Sequence, residues 1–128
     1  MKLLLDTHLL LWAAGWPERL PDIARAMLDN DEHTPMFSPA SLWEVAIKRG
    51  LGRPDFRVDP GLLRRGLVDN GWLELPIDGR HAVAVAGLEP IHKDPFDRIL
   101  VAQALVEGIL LLTSDPVVGR YTGPIRVV

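Results

Sequence analysis

Two runs, KLLLD at residues 2–6 and ILLLT at 109–113, constrain this chain more than anything else in it. Each is a continuous apolar stretch too short to make a stable helix, and each ends on a polar residue. A strand with apolar side chains on both faces has to be covered on both faces, which is the habit of parallel sheets with helices packed above and below. Parallel strands need crossover connections, and helix-like segments lie between the strand candidates. The expected fold is an α/β domain with a mainly parallel central sheet.

The intervening segments fit that expectation. THLLLWAA (7–14) begins a helix with Thr7 as its cap, and Gly15 to Pro17 ends it. After Pro21, the residues Ile23, Ala26, Met27 and Asn30 fall at helical spacing. MF, inside HTPMFSP (33–39), reads as a brief strand. ASLWEVAIKRG (40–50) predicts an amphipathic helix with Leu42, Val45, Ala46 and Arg49 in register and Gly50 as its stop. Residues 60–70 predict another helix, weakened by Gly66, and WLELPI (72–77) alternates as a strand does. GRHAVAVAGL (79–88) is a small-residue helix suited to close packing. PFDRILVAQALVEG (95–108) runs as a helix from Pro95 to Gly108, and RVV (126–128) adds a last short strand. With no repeat, linker or low-complexity tract, residues 1–128 are expected to form one domain.

Composition excludes several classes of chemistry. The chain lacks cysteine, which removes disulfides, zinc–thiolate sites and thiol catalysis and fits a reducing cytosol. Its apolar N-terminus is interrupted by Asp6 and followed by no small-residue cleavage site, and ILLL is far too short to span a membrane. A cytoplasmic protein without membrane attachment is expected. The formal charge is −3, from 14 bases and 17 acids, which at first argues against a nucleic-acid partner. Distribution matters more than the sum. Lys48, Arg49, Arg53, Arg57, Arg64 and Arg65 crowd one stretch with only Asp55 and Asp59 for company. If four of the 17 acids were sequestered around a metal, 13 would remain against 14 bases.

In open α/β sheets, chemistry collects beyond the carboxyl ends of the strands. Asp6 ends the first apolar strand and Asp115 follows the second by two residues. Glu44 lies early in the helix after MF, and Asp97 lies in the first turn of the helix before ILLL. Each acid has an ordinary local explanation. Asp6 suits an N-cap, Glu44 an i, i+4 pair with Lys48, Asp97 a helix N-terminus, and Asp115 a turn before Pro116. Four converging at one sheet edge is less easily explained that way. Their mutual repulsion would call for a cation, and hard carboxylate oxygens suit Mg²⁺ or Mn²⁺. Such a site hydrolyses phosphodiesters.

LLLDTHLLLW, SLWEVAIK, HKDPFDRILVAQA and LLTSD occur in this order and spacing. In these motifs the chain resembles the PIN-domain ribonucleases, and among them the VapC-type toxins of bacterial toxin–antitoxin pairs. The resemblance covers nearly the whole chain, from Asp6 to Asp115. It implies a PIN-like three-layer α/β/α fold and an endoribonuclease dependent on Mg²⁺, or on Mn²⁺. It implies Asp6, Glu44, Asp97 and Asp115 as catalytic and metal-binding residues. Asp6 and Asp97 would be the principal ligands, with Asp115 completing the site and Glu44 binding directly or through water. RNA as substrate, a small cognate antitoxin and a homodimer are implied with it. Asp94 matches a further acid often found before the Pro-Phe pair, although its role as N-cap ahead of Pro95 already explains it.

Two alternatives are open on the residues alone. A haloacid-dehalogenase-like phosphatase wants a second aspartate two residues after the first, where this chain has His8. A catalytically inactive binding module of the same fold would not need the four intact acids. Thr7, Thr113 and Ser114 flank the acids as hydrogen-bonding partners or simple caps. His8, His33, His81 and His92 show no ligand spacing and are expected to be structural or at the surface, with His92 and Lys93 within reach of an RNA phosphate. Trp12, Trp43 and Trp72 read as core or interface anchors, and Trp16 as a loop residue. Arg98 would orient a carboxylate or pair with a phosphate.

Overall fold

The computed structural model describes all 128 residues. Strands β1 (Lys2–Leu5), β2 (Thr34–Phe37), β3 (Leu73–Glu74), β4 (Leu110–Thr113) and β5 (Ile125–Val127) form one sheet in the order β3-β2-β1-β4-β5. Every pairing is parallel. Six α-helices accompany them: α1 (Thr7–Gly15), α2 (Asp22–Asp29), α3 (Pro39–Gly50), α4 (Pro60–Asp69), α5 (Gly79–Val85) and α6 (Pro95–Glu107). The chain steps outward from β1 to β3, then returns to the opposite side of β1 with β4. The strand order therefore reverses between β1 and β4, where such sheets open a crevice.

The apolar runs do what continuous apolar strands must. Leu3 and Leu5 of β1 join one buried cluster and Leu4 the other, and all three are fully buried. β2 divides in the same way between Phe37 and Met36, and β4 between Leu112 and Leu111. Helices α1 and α4 cover the first face with Leu9, Leu10, Leu63 and Leu67. Helix α6 covers the second with Leu100, Val101 and Ala104. Removing Leu4 or Leu111 to alanine from so closed a sandwich costs about 2–5 kcal/mol. No helix is long and apolar enough to cross a membrane.

Several local expectations shift. Of the two cap candidates for α1, Asp6 takes the role, its Oδ1 accepting from the Leu9 amide at 2.9 Å, and Thr7 does not. In α2 the buried residue is Ala24, while Ile23 and Ala26 face outward. In α3 the buried face is Ala40, Ser41, Glu44 and Val45, with Ala46 and Arg49 exposed. An apolar-only reading missed this face because half of it is polar. β3 is only two residues long, since its partner β2 ends at Phe37, where Ser38 turns the chain into α3. Trp12 and Trp72 pack on the core, whereas Trp43 is 64% exposed, so it is no core anchor.

Candidate active site

Three helix N-termini meet the carboxyl edge of the sheet, and each arrives there for a local reason. The β1–α1 junction is Asp6, the N-cap itself. Ser38 caps α3 after β2, its Oγ accepting from the Ala40 amide at 3.1 Å, and Pro39 occupies the first turn. Asp94 caps α6, its Oδ1 accepting from the amides of Phe96 at 2.8 Å and Asp97 at 3.3 Å, with Pro95 next. Gly108, at φ 66°, closes α6 in the left-handed conformation and releases the chain into β4. The partial positive charge of the helix ends favours acids at this edge.

The acids lie at graded depth. Asp6 is 3% exposed and Glu44 6%, while the Asp97 and Asp115 side chains are 20% and 36% exposed. Asp6 joins the two central strands: its Oδ2 accepts from the Thr113 hydroxyl at 2.6 Å and the Ser114 amide at 3.3 Å. Thr113 in turn accepts the Asp115 amide at 3.0 Å, and Asp115 Oδ1 accepts the Val117 amide at 2.8 Å in a side-chain turn. The Thr7 hydroxyl donates to Ser41 at 2.9 Å, tying α1 to α3. Lys48 holds Glu44 at 2.8 Å. Apart from that lysine, no Arg or Lys pairs with any of the four acids.

Electrostatics register the crowding. The Asp97 carboxyl is pushed up from 3.8 to about 7, first by desolvation and then by Asp94, with Asp6 and Glu44 adding to the rise and His92 opposing it. Asp6 is also raised by burial, against the pull of Thr113 and the Leu9 and Ser114 amides. Asp115 goes the other way. Desolvation raises it, but the hydrogen bonds of His92 and the Val117 amide outweigh that and leave it below the ordinary carboxylate range. Asp97 and Asp115 come within 4.8 Å of each other together with His92, whereas Asp6 and Glu44 stand outside that group and act on Asp97 through their charge; hard oxygens so placed suit a divalent cation.

His92 was expected near the site, as a structural residue or facing an RNA phosphate. Instead its Nε2 lies 2.9 Å from Asp115 Oδ2 and 3.3 Å from Asp97 Oδ2, making the three side chains one cluster. No spacing rule could have found it, because the contact depends on how the loop before α6 folds back. Arg98 was expected to meet a carboxylate or a phosphate. Its guanidinium is committed to the carbonyls of Val85 and Glu89, at 3.2 and 3.1 Å, and to the Tyr121 hydroxyl. Among the basic residues of the 48–65 stretch, Arg49 pairs with Asp59 and Arg64 with Glu74, leaving Arg53, Arg57 and Arg65 exposed and unpaired. A groove of about 640 Å³ between α1, α4 and residues 57–59 contains none of the four acids.

A parallel sheet with acidic side chains from several chain segments near its switch point is a candidate cation site on an α/β fold. The sequence matches the PIN domain over residues 3–123, and the chain belongs to that family, which makes it a nuclease. No curated protein matches it. Among solved structures, it is similar to a chain of VapBC2 from Rickettsia felis bound to a DNA fragment from their promoter. The TM-score is 0.70 at 14% identity, covering 99% of this chain and 98% of that one. It is similar also to a chain of DNA-bound VapBC from Salmonella typhimurium, with a TM-score of 0.66 at 17% identity over 100% and 97% of the two chains. At these identities the likeness speaks for the fold.

Proposed function

We propose that the protein is a divalent-metal-dependent endoribonuclease and the VapC-type toxin of a toxin–antitoxin pair. The observation that carries the catalytic half is the meeting of Asp97 and Asp115 at the carboxyl edge of the sheet, beside Asp6 and Glu44 and with no arginine or lysine paired to Asp97. The full-length likeness to chains of two VapBC complexes supports the toxin half. Asp6, Asp97 and Asp115 would hold Mg²⁺ or Mn²⁺, with Glu44 binding directly or through water. A divalent ion there supplies Lewis-acid polarisation of the phosphodiester and activation of water.

The chain's own residues do the rest. Thr113 and the Ser114 amide hold Asp6 in one rotamer across the β1–β4 gap. Lys48 holds one Glu44 oxygen, and the other oxygen would orient the attacking water. Arg53, Arg57 and Arg65 are the basic side chains free to meet the RNA backbone. Exposed apolar side chains, Val83 at 74%, Trp43 at 64% and Leu62 at 63%, give an antitoxin and a second protomer surface to bury. A cytoplasmic location accompanies this reading.

The test is cleavage of a mixture of structured RNAs by protein freed of antitoxin. Cleavage is expected with Mg²⁺ or Mn²⁺ and none in excess EDTA. Cleavage that persists in EDTA would contradict the metal mechanism. Cleavage of DNA alone would contradict the substrate.

A further inference from the structure

The four-acid account leaves His92 without a role, although it touches two of the acids. Its two ring nitrogens face opposite kinds of partner. Nδ1 lies 3.0 Å from the backbone nitrogen of Asp94, which donates to it. Nε2 faces Asp115 Oδ2 at 2.9 Å and Asp97 Oδ2 at 3.3 Å, both acceptors when ionised. A ring nitrogen that accepts from an amide carries no proton, so the imidazole proton resides on Nε2.

That assignment decides between two roles. A histidine that ligates a metal through Nε2 needs its lone pair there, and carries its proton on Nδ1 toward an acceptor. His92 has a donor at Nδ1 instead, so ligation through Nε2 would require giving up the Asp94 contact that caps this loop. The surroundings resist that change. The His92 amide donates to the Tyr121 hydroxyl at 3.0 Å, and Arg98 donates to the same hydroxyl at 3.1 Å while gripping Val85 and Glu89. The loop is thus pinned from outside by Arg98 and Tyr121 and from inside by the Asp94 amide.

We propose that His92 is a positioning residue of the nuclease site, a tautomer-locked N–H donor that gathers the Asp97 and Asp115 carboxylates, and not a metal ligand. The inference deepens the proposed function and rests on the acids binding a divalent cation. In HKDPFDR, Asp94 then caps the helix and fixes the imidazole, His92 spaces two acids, and Arg98 anchors the loop that carries them.

The test has two arms on the whole protein. In the first, ¹⁵N NMR of the imidazoles is recorded metal-free and then in saturating Mg²⁺. The His92 proton is expected on Nε2 in both. A proton on Nδ1, or loss of the Nε2 proton on adding Mg²⁺, would overturn the assignment, and this arm needs no variant. In the second, calorimetry measures Mg²⁺ affinity. His92→Ala should weaken it by about tenfold or more, in line with loss of an outer-sphere partner, while His92→Gln, which keeps an N–H donor, should stay within about threefold of wild type. Equal affinity for wild type and His92→Ala, or equal loss in both variants, would overturn the positioning role. Asp97→Asn in the same titration separates the two levels of the argument. If it binds Mg²⁺ as wild type does, the nuclease reading itself fails. If it loses Mg²⁺ while His92→Ala does not, only the role of His92 fails.

Discussion

Two clusters in this molecule are built from the same parts, one histidine and two carboxylates within 4.8 Å: Asp78, His81 and Glu107, and His92, Asp97 and Asp115. The first is a closed structural device. His81 completes a capping box at the start of α5, its Nδ1 accepting from the Asp78 amide, and its Nε2 meets Glu107 at 2.9 Å. Arg80 adds ion pairs of 2.8 Å to both acids. The acids are accordingly easy to ionise: Asp78 is lowered from 3.8 to about 2, chiefly by its Arg80 hydrogen bond, and Glu107 is lowered chiefly by His81. The second cluster has no arginine, and Asp97 is pushed up to about 7. Residue type and proximity are thus equal in the two; His92 compensates Asp115, whose carboxyl is lowered, and leaves Asp97 as the one acid without compensation. A self-neutralised cluster holds a fold together, whereas an uncompensated acid costs stability and is kept for what it binds.

The largest effect that sharpens this contrast is on activity. Asp97→Asn should lower metal-dependent RNA cleavage by more than about 100-fold, above the usual cost of losing an outer-sphere partner, while Asp78→Asn should leave it near wild type. Stability should rank Asp97→Asn the other way. In metal-free protein at pH 8 that variant should melt higher than wild type, because a carboxylate the fold disfavours has been removed. An unchanged or lower melting temperature would mean that the acids do not strain one another.

The pH dependence of the two clusters should have opposite sign. Between about 4 and about 7, native Asp97 keeps a proton that the unfolded chain has released. Native protein binds more protons there, so metal-free stability falls as pH rises through that window and levels off above it. Asp78, with a folded value of about 2 against 3.8, contributes stability that is complete above about 4 and lost as pH falls toward 2. Melting curves of wild type, Asp97→Asn and Asp78→Asn across this range should assign each slope to its residue.

A smaller effect is expected at Thr113. Thr113→Val leaves a lone pair of buried Asp6 unsatisfied and should cost about 1–3 kcal/mol in denaturant titration. The smallest is Arg80→Ala. It should raise the Asp78 and Glu107 titrations toward ordinary values with only a slight fall in melting temperature and no gain of Mg²⁺ affinity.

What the sequence made legible followed from contiguous patterns. KLLLD and ILLLT carry their own burial and place Asp6 and Asp115 at the carboxyl edge, because an apolar run shows where a strand stops. Asp94-Pro95 marks the start of α6 and hence the turn on which Asp97 rides. The buried face of α3 was not legible, since Ser41 and Glu44 sit in it as hydrogen-bonded partners of Thr7 and Lys48 and not through apolarity. His92 and Arg98 were legible only as members of a motif. Their contacts with Asp115, Val85 and Tyr121 join segments that no local periodicity connects.

The central claim is that Asp97 and the acids around it bind a divalent cation, and a melting experiment with Mg²⁺ tests it directly. At a concentration of 100 times the dissociation constant, binding should stabilise wild type by about 2.7 kcal/mol. Asp78→Asn should show the same upward shift, and Asp97→Asn should lose most of it. An equal shift in all three proteins would contradict the account.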